Sequence, residues 1–330
     1  MSIYTLTLNP ALDVSVRGAG AACWGKLNKT DSQTLSCGGK GINVSRALKA
    51  MGEDAPAYLF YGGETGRTML GMLDAEGIEY RGVETSAPTR INVKTIFGTN
   101  GGTVLSEFNG AGGPISREEL EKLCESLMGE LKKHTINPQD SRSFLIMSGS
   151  IPQGVENTVY NSVIMLLKNR GVHIVVDASG AALESALEAS PYMIKPNLDE
   201  LSSIAGKRLV EMSEILYRIF QIFVENGTRV LATLSEKGAI YAGPEGLWKV
   251  SSPQVELKSF AGAGDTFLAG FVHTIGSGEA GSVSAGRIPD ALKFASSAAA
   301  AKVELDGTEI PTLEQMGKYL GEITVERLKI

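Results

Sequence analysis

Between residues 144 and 234 the chain alternates short apolar runs with helical stretches, and this alternation narrows the fold more than any other feature. Strands are read at 144–147, 172–177, 192–195 and 229–234, with helices at 156–169 and 180–188 between the first three. A strand that feeds a helix and then another strand makes a right-handed crossover, so such a series builds a parallel sheet covered on both faces. The first part of the chain has the same grammar: an alternating β-branched run at 2–8 stops at Asn9-Pro10, and a strand at 57–61 leads through Gly62-Gly63 to a helix read at 68–76. With 330 residues, 43% of them hydrophobic, the chain can bury a large core as one α/β domain with an insertion or as two domains.

Charge and composition exclude several function classes. The 31 basic and 37 acidic residues give a formal charge of −6, and no run of Lys or Arg is long enough to follow a phosphate backbone, so nucleic acid is not an expected partner. No apolar stretch reaches membrane-spanning length, and the first residues have neither a basic segment nor a long apolar one; a cytoplasmic protein with no membrane partner is expected. Cys23, Cys37 and Cys124 are odd in number and not closely spaced, which reads as reduced thiols. His134, His173 and His273 lie far apart and support neither a zinc site nor a Ser-His-Asp triad.

Four stretches carry chemistry. Phe260-Ala261-Gly262-Ala263-Gly264-Asp265 places small residues before an acid and then opens an apolar helix. Glycines let the backbone approach a ligand, and the first amides of a helix have no internal partner, so this start can bind an anion. A carboxylate there repels a bound phosphate unless it takes a proton. The alternative for Asp265 is a helix N-cap. Cys37-Gly38-Gly39-Lys40-Gly41 opens a second helix, with Lys40 and Asn43 in its first turn, and Asp13 follows the end of the first strand as a ligand for sugar hydroxyls or as a turn-former. Strand alternation over 89–97 puts Arg90, Asn92 and Lys94 on one face, either a solvated edge or a cationic surface for a sugar phosphate; Gly101-Gly102 then turns it into a hairpin. Asn197 and Glu200 read as a capping box or as organisers of hydrated Mg²⁺.

The motifs Asn9-Pro10-Ala11-Leu12-Asp13, Gly38-Gly39-Lys40-Gly41-Ile42-Asn43, Lys195-Pro196-Asn197-Leu198-Asp199-Glu200 and Ala261-Gly262-Ala263-Gly264-Asp265-Thr266, in this order, resemble the ribokinase-like carbohydrate kinases of the phosphofructokinase B type, over essentially the whole chain. Residues 7–13 and 89–94 look most like the branch containing 1-phosphofructokinase and tagatose-6-phosphate kinase. The resemblance implies a three-layer α/β fold spanning 1–330 as one domain, with a mostly parallel sheet and a small β-sheet lid inserted at about 12–37 and 88–112. It implies ATP and Mg²⁺ as cofactors, a sugar-phosphate substrate, and a homodimer paired through the lid. Asp265 matches the catalytic base; Gly262, Ala263 and Gly264 match the anion hole. Asp13, Gly39, Lys40 and Asn43 match sugar-binding positions, with Arg90, Asn92 and Lys94 near the phosphate already on the substrate. Lys195, Asn197, Thr233, Ser235 and Gly238 match the nucleotide side, and Asn197 with Glu200 the Mg²⁺ element. The expected reaction is fructose 1-phosphate to fructose 1,6-bisphosphate; the alternatives are a tagatose-6-phosphate or other sugar kinase, and a catalytically dead sugar-phosphate sensor. The sequence departs from the branch at Gly110–Gly113, at Ser235, where relatives often have Gly, and at Thr266 in place of Ser.

Overall fold

The computed structural model describes residues 2–18, 20–99, 102–134, 143–277 and 286–329. In chain order, β1 (Ser2–Thr7) is followed by β2 (Ala11–Gly18), β3 (Ser32–Gly38), α1 (Lys40–Ala50), β4 (Ala57–Tyr61), α2 (Gly63–Ala75) and β5 (Tyr80–Glu84). Next come β6 (Arg90–Thr99), β7 (Gly102–Asn109), α3 (Arg117–His134), β8 (Ser143–Ser148), α4 (Val159–Leu167), β9 (Val172–Asp177), α5 (Gly180–Glu188) and β10 (Met193–Ile194). The chain continues through α6 (Leu198–Ile204), α7 (Met212–Asn226), β11 (Arg229–Thr233), β12 (Ala239–Gly243), β13 (Gly246–Val250), α8 (Ala263–Gly276), α9 (Arg287–Val303), α10 (Leu313–Gly317) and β14 (Val325–Leu328).

Among the described residues these strands form two sheets. The larger has the order β14-β13-β12-β11-β10-β9-β8-β1-β4-β5, and is parallel from β11 to β5. Hairpin connections make β12 and β13 antiparallel, and β14 returns from the end of the chain to pair antiparallel with β13. The smaller sheet has the order β3-β2-β6-β7 and draws its strands from residues 11–38 and 90–109.

Strand side chains alternate between two cores, because successive Cβ atoms point to opposite faces. Leu145 and Met147 of β8, Ile174 and Val176 of β9, and Val230 and Ala232 of β11 pack with α3, α4, α5 and α7 through Leu127, Tyr160, Leu183 and Ile219. Their neighbours Phe144, Ile146, Val175 and Leu231 pack on the other face with α1, α8 and α9 through Leu48, Phe271 and Leu292. This is the layered α/β architecture implied by the resemblance. The helices of the second face carry the glycine motifs, so the site is built on that side of the sheet.

Several elements depart from the sequence reading. α2 starts at Gly63, not at residue 68; the Gly62 amide is held by Thr89 Oγ1 at 3.0 Å, and a Cβ on Gly62 would lie 2.0 Å from the Ala87 carbonyl oxygen. These glycines therefore serve close packing. β5 escapes sequence reading because its side chains are exposed or half-buried and show no apolar run. α7, also not anticipated, has a capping box of Glu211 and Glu214, a buried stripe at Ile215, Ile219 and Ile222, and a left-handed Gly227 at its end. The expected turn at Gly101 lies outside the described residues, while β7 begins at Gly102.

The helix that carries Asp265 crosses α9 at close range: a Cβ on Gly270 would meet Ala295 Cα at 3.1 Å. Gly270→Val should therefore wedge α8 from α9 and lower stability by about 1–3 kcal/mol. The midpoint of urea denaturation measures this, and an unchanged midpoint would show that the crossing has slack.

Candidate active site

α8 begins from an N-cap at Gly262, whose φ of 75° lies in the left-handed region that glycine adopts without strain. Asp265 is in the first turn, and no side chain caps this helix, so the N-cap alternative for Asp265 is incorrect. Its carboxylate instead accepts a 2.8 Å hydrogen bond from Asn43 Nδ2, in the first turn of α1. The two glycine-opened helices thus meet at their starts, beside the first amides of α8. Burial, reinforced by the nearby Asp177 carboxylate and opposed by Lys40, Asn43 and Lys195, pushes the Asp265 carboxyl up to about 6.

Asp177, at the carboxyl end of β9, has no exposed surface and was not singled out in the sequence. Lys40 Nζ lies 2.8 Å from its Oδ1 and Lys195 Nζ 3.2 Å from its Oδ2. Burial alone would raise this carboxyl, but Lys195 and Lys40 together hold it below the ordinary carboxylate range. Lys40 experiences the converse: burial opposes its charge, while Asp177, Glu200 and Asp265 raise it strongly. Lys195 also borders the anion turn, since a Cβ on Gly264 would be 3.4 Å from its Nζ. An acid ending a strand was the available sequence signal for Asp177, but many strand-ending turns carry one.

The smaller sheet contributes a second polar group. β6 is paired on both sides, parallel to β2 and antiparallel to β7, so it is not a solvated edge. The parallel register sets Asp13 beside Asn92. Asn92 Nδ2 donates to Asp13 Oδ1 at 2.8 Å and Lys94 Nζ lies 2.7 Å from Asp13 Oδ2, all three residues being buried. A Cβ on Gly38 would fall 2.1 Å from Asp13 Oδ1, so the glycine loop closes directly against this carboxylate. Arg90 turns elsewhere: its guanidinium donates to the carbonyls of Asn9 and Gly110, each at 2.8 Å. Gly112, at φ 85°, packs where a Cβ would be 2.6 Å from Asn9 Oδ1, so the 110–113 departure makes room for the Asn9 and Arg90 side chains. Asn43 Oδ1 and Asn92 Oδ1 are buried acceptors with no hydrogen-bond partner among the described residues, which suits a hydroxyl-bearing ligand.

Further along the main sheet, Asn197 forms a parallel bridge with Thr233. Asn197 and Glu200 close a capping box, with both reciprocal bonds at 2.8 Å, and the second Glu200 oxygen lies 3.6 Å from Lys40 Nζ. Ser235 has φ 54°, so it takes up the left-handed conformation that glycine adopts more readily. Gly238, at φ 88°, lies so close to β13 that a Cβ would be 1.9 Å from the Val250 carbonyl oxygen. Lys40, Asp177, Lys195 and Glu200 thus form one contact group whose charges act on the Asn43–Asp265 pair, Asp13 with Asn92 and Lys94 forms a further cluster, and Arg90 belongs to none of these.

A family profile described as pfkB family carbohydrate kinase matches residues 20–316. The 1-phosphofructokinase of Borreliella burgdorferi is 31% identical over 326 residues, covering 98% of this chain and 98% of its own. That of Bacillus subtilis is 30% identical over 326 residues, covering 99% of this chain and 100% of its own. Among solved structures, phosphofructokinase-2 from Escherichia coli in complex with substrates and products superposes with a TM-score of 0.86 at 26% identity, covering 98% of this chain and 99% of that one.

Asp177→Asn would leave Lys195 buried without its counter-charge, and breaking a buried pair in this way should lower stability by about 3–5 kcal/mol. Guanidinium denaturation at neutral pH measures it. A loss below about 1 kcal/mol, the scale of an exposed pair, would show that the lysines are neutralised by other groups.

Proposed function

This chain belongs to the pfkB family of carbohydrate kinases, and from that premise we propose that it transfers the γ-phosphoryl group of ATP to a primary hydroxyl of fructose 1-phosphate, giving fructose 1,6-bisphosphate. It is a phosphotransferase with a hydroxyl acceptor. The observation that carries the reading is the Asp265 carboxyl, buried at the start of α8, bonded to Asn43 and raised to about 6. A base poised just below neutrality is ionised at working pH yet basic enough to draw a hydroxyl proton in the transition state. A binding-only sensor gains nothing from such a group, which costs stability for as long as it stays charged and buried.

The acceptor hydroxyl approaches Asp265 from the side of Asp13, Asn43 and Asn92, and its proton passes to the Asp265 carboxylate as the oxygen attacks the γ-phosphorus. The amides of Gly262 and Gly264 at the start of α8, joined by that of Ala263 when it leaves the Phe260 carbonyl to which it donates at 3.2 Å, stabilise the charge that develops on the transferring group, with Lys195 beside them. Gly39 and Lys40 open α1 against the same space; on the substrate-phosphate side Arg90, held by backbone carbonyls, and Lys94, paired with Asp13, bring positive charge that Asp13 only partly cancels. The adenosine end lies along Thr233, Ser235 and Gly238. Asn197 and Glu200 offer one amide and one carboxylate, a donor set suited to Mg²⁺ that keeps most of its water and neutralises charge on the ATP phosphates. The smaller sheet acts as a lid that keeps water from the reacting centre. Its face away from Asp13 exposes Leu35, Ile91 and Phe108, with Trp24 against Phe108, and is covered in a homodimer by a second copy.

ADP release coupled to ATP turnover, run across a panel of sugars and sugar phosphates, should give its highest kcat/KM with fructose 1-phosphate; a higher value for another acceptor would reassign the substrate. Asp265→Asn should lower kcat by about 10²–10⁴-fold. Residual turnover near the wild-type level would remove Asp265 from the role of base. The sign of the pH effect follows from protonation: below about 6 the carboxyl is neutral and cannot accept the hydroxyl proton, so kcat/KM should fall about tenfold per pH unit on the acid side and level off above it. Phe108→Glu should shift sedimentation from dimer to monomer; an unchanged sedimentation coefficient would exclude this face as the interface.

A further inference from the structure

Lys302, in the last turn of α9, has no exposed surface. Lysine is rarely buried so fully without a counter-charge. Its ammonium donates to the Gly307 carbonyl at 2.9 Å, and among the described residues no carboxylate forms an ion pair with it. Burial, followed by Lys94 from β6 and Arg46 from α1, pushes the group down to about 8, while Glu309 and Asp265 partly offset them. A core position that merely needed filling would be served at lower cost by an apolar side chain.

The surroundings of Lys302 show what the charge touches. A Cβ on Gly262 would sit 3.4 Å from Lys302 Cε and 3.7 Å from Asn43 Nδ2, so these two side chains occupy the space beside the left-handed N-cap of α8. The segment leading into that N-cap is tied to the same turn. The amides of Lys258 and Ser259 donate to the Val303 carbonyl at 2.8 and 3.2 Å, and the Ser259 hydroxyl donates to the Gly307 carbonyl at 3.3 Å and accepts from the Ala261 amide at 3.2 Å. Gly307 therefore receives both the ammonium and the hydroxyl that steadies Ala261. On its far side the turn meets the smaller sheet, where Asp306 pairs with Arg17 of β2.

We propose that Lys302 is a positioning residue for phosphoryl transfer: clamped on the Gly307 carbonyl and packed against Gly262, its ammonium fixes the segment that opens α8 and places a positive charge beside the left-handed N-cap. The proposal rests on reading the start of α8 as the anion site. It goes beyond that reading by making the amides depend on a cation outside the glycine motif.

Lys302→Met keeps most of the packing volume and removes the charge. It should fold with a melting temperature equal to or above wild type, because a buried charge has been removed. Its kcat should fall by at least about tenfold while KM for ATP and for the sugar phosphate stays within about threefold. In Lys302→Ala, added n-propylammonium should restore turnover and 1-propanol of similar shape should not. A kcat within about twofold of wild type in Lys302→Met, or a loss that merely parallels a fall in melting temperature, would overturn the proposal. Failure of the wild type to phosphorylate any acceptor in the same assay would sink the kinase reading instead. Calorimetric titration with inorganic phosphate then decides Lys302 separately: binding about tenfold weaker in Lys302→Met supports the role, and equal binding overturns it.

Discussion

Asp177 is a fully buried carboxylate between Lys40 and Lys195, and the rest of the site is built around that charge. Each lysine belongs to a different element, Lys40 to the start of α1 and Lys195 to the end of β10, so the ion pairs hold a helix and a strand in fixed relation across the carboxyl edge of the sheet. Neither lysine is free to collapse onto Asp265, which sits close enough to feel their field but remains the more basic carboxyl of the two. Two acids in one buried pocket are thereby driven apart in character. One is held ionised by its lysines, and the other is pushed up to about 6.

The smaller sheet repeats this logic with less charge. Asp13 spends its two oxygens on Asn92 and Lys94, so the cationic strand face is partly neutralised before any ligand arrives. What remains available there is chiefly hydrogen-bonding capacity, such as the unpartnered Asn92 carbonyl oxygen. Arg90 pins the Gly110 segment to the turn after β1 through backbone carbonyls, bonds that leave its charge in place.

How much of this could be read from the sequence depended on whether the signal was local. β9 and α5 were legible to the residue, since a buried strand is a continuous apolar run and α5 shows a plain helical face. The Asn197–Glu200 capping box was legible because all its atoms lie within one turn. β5 was not, because an exposed edge strand carries little apolar signal, and Gly62-Gly63 were misread as a turn because their partner residues lie past the next strand. Asp177 and Lys302 were missed for one reason. An acid after a strand and a lysine in an alanine-rich helix are ordinary until the topology shows that both are buried. The pairing of Asp13 with Asn92 and Lys94 likewise needs the parallel register of β2 and β6, which no local spacing encodes.

The hydrogen bond from Asn43 to Asp265 joins residues 222 positions apart. A chain emerging from the ribosome completes α1, the smaller sheet and the parallel strands of the main sheet well before α8 appears. Through that interval Asn43 and the Asp13 cluster are in place while the Asp265 carboxyl and the first amides of α8 are still to come. The pocket is completed only when α8 and then α9 cover the second face of the sheet. A fragment that ends before α8 therefore holds only one half of the Asn43–Asp265 pair.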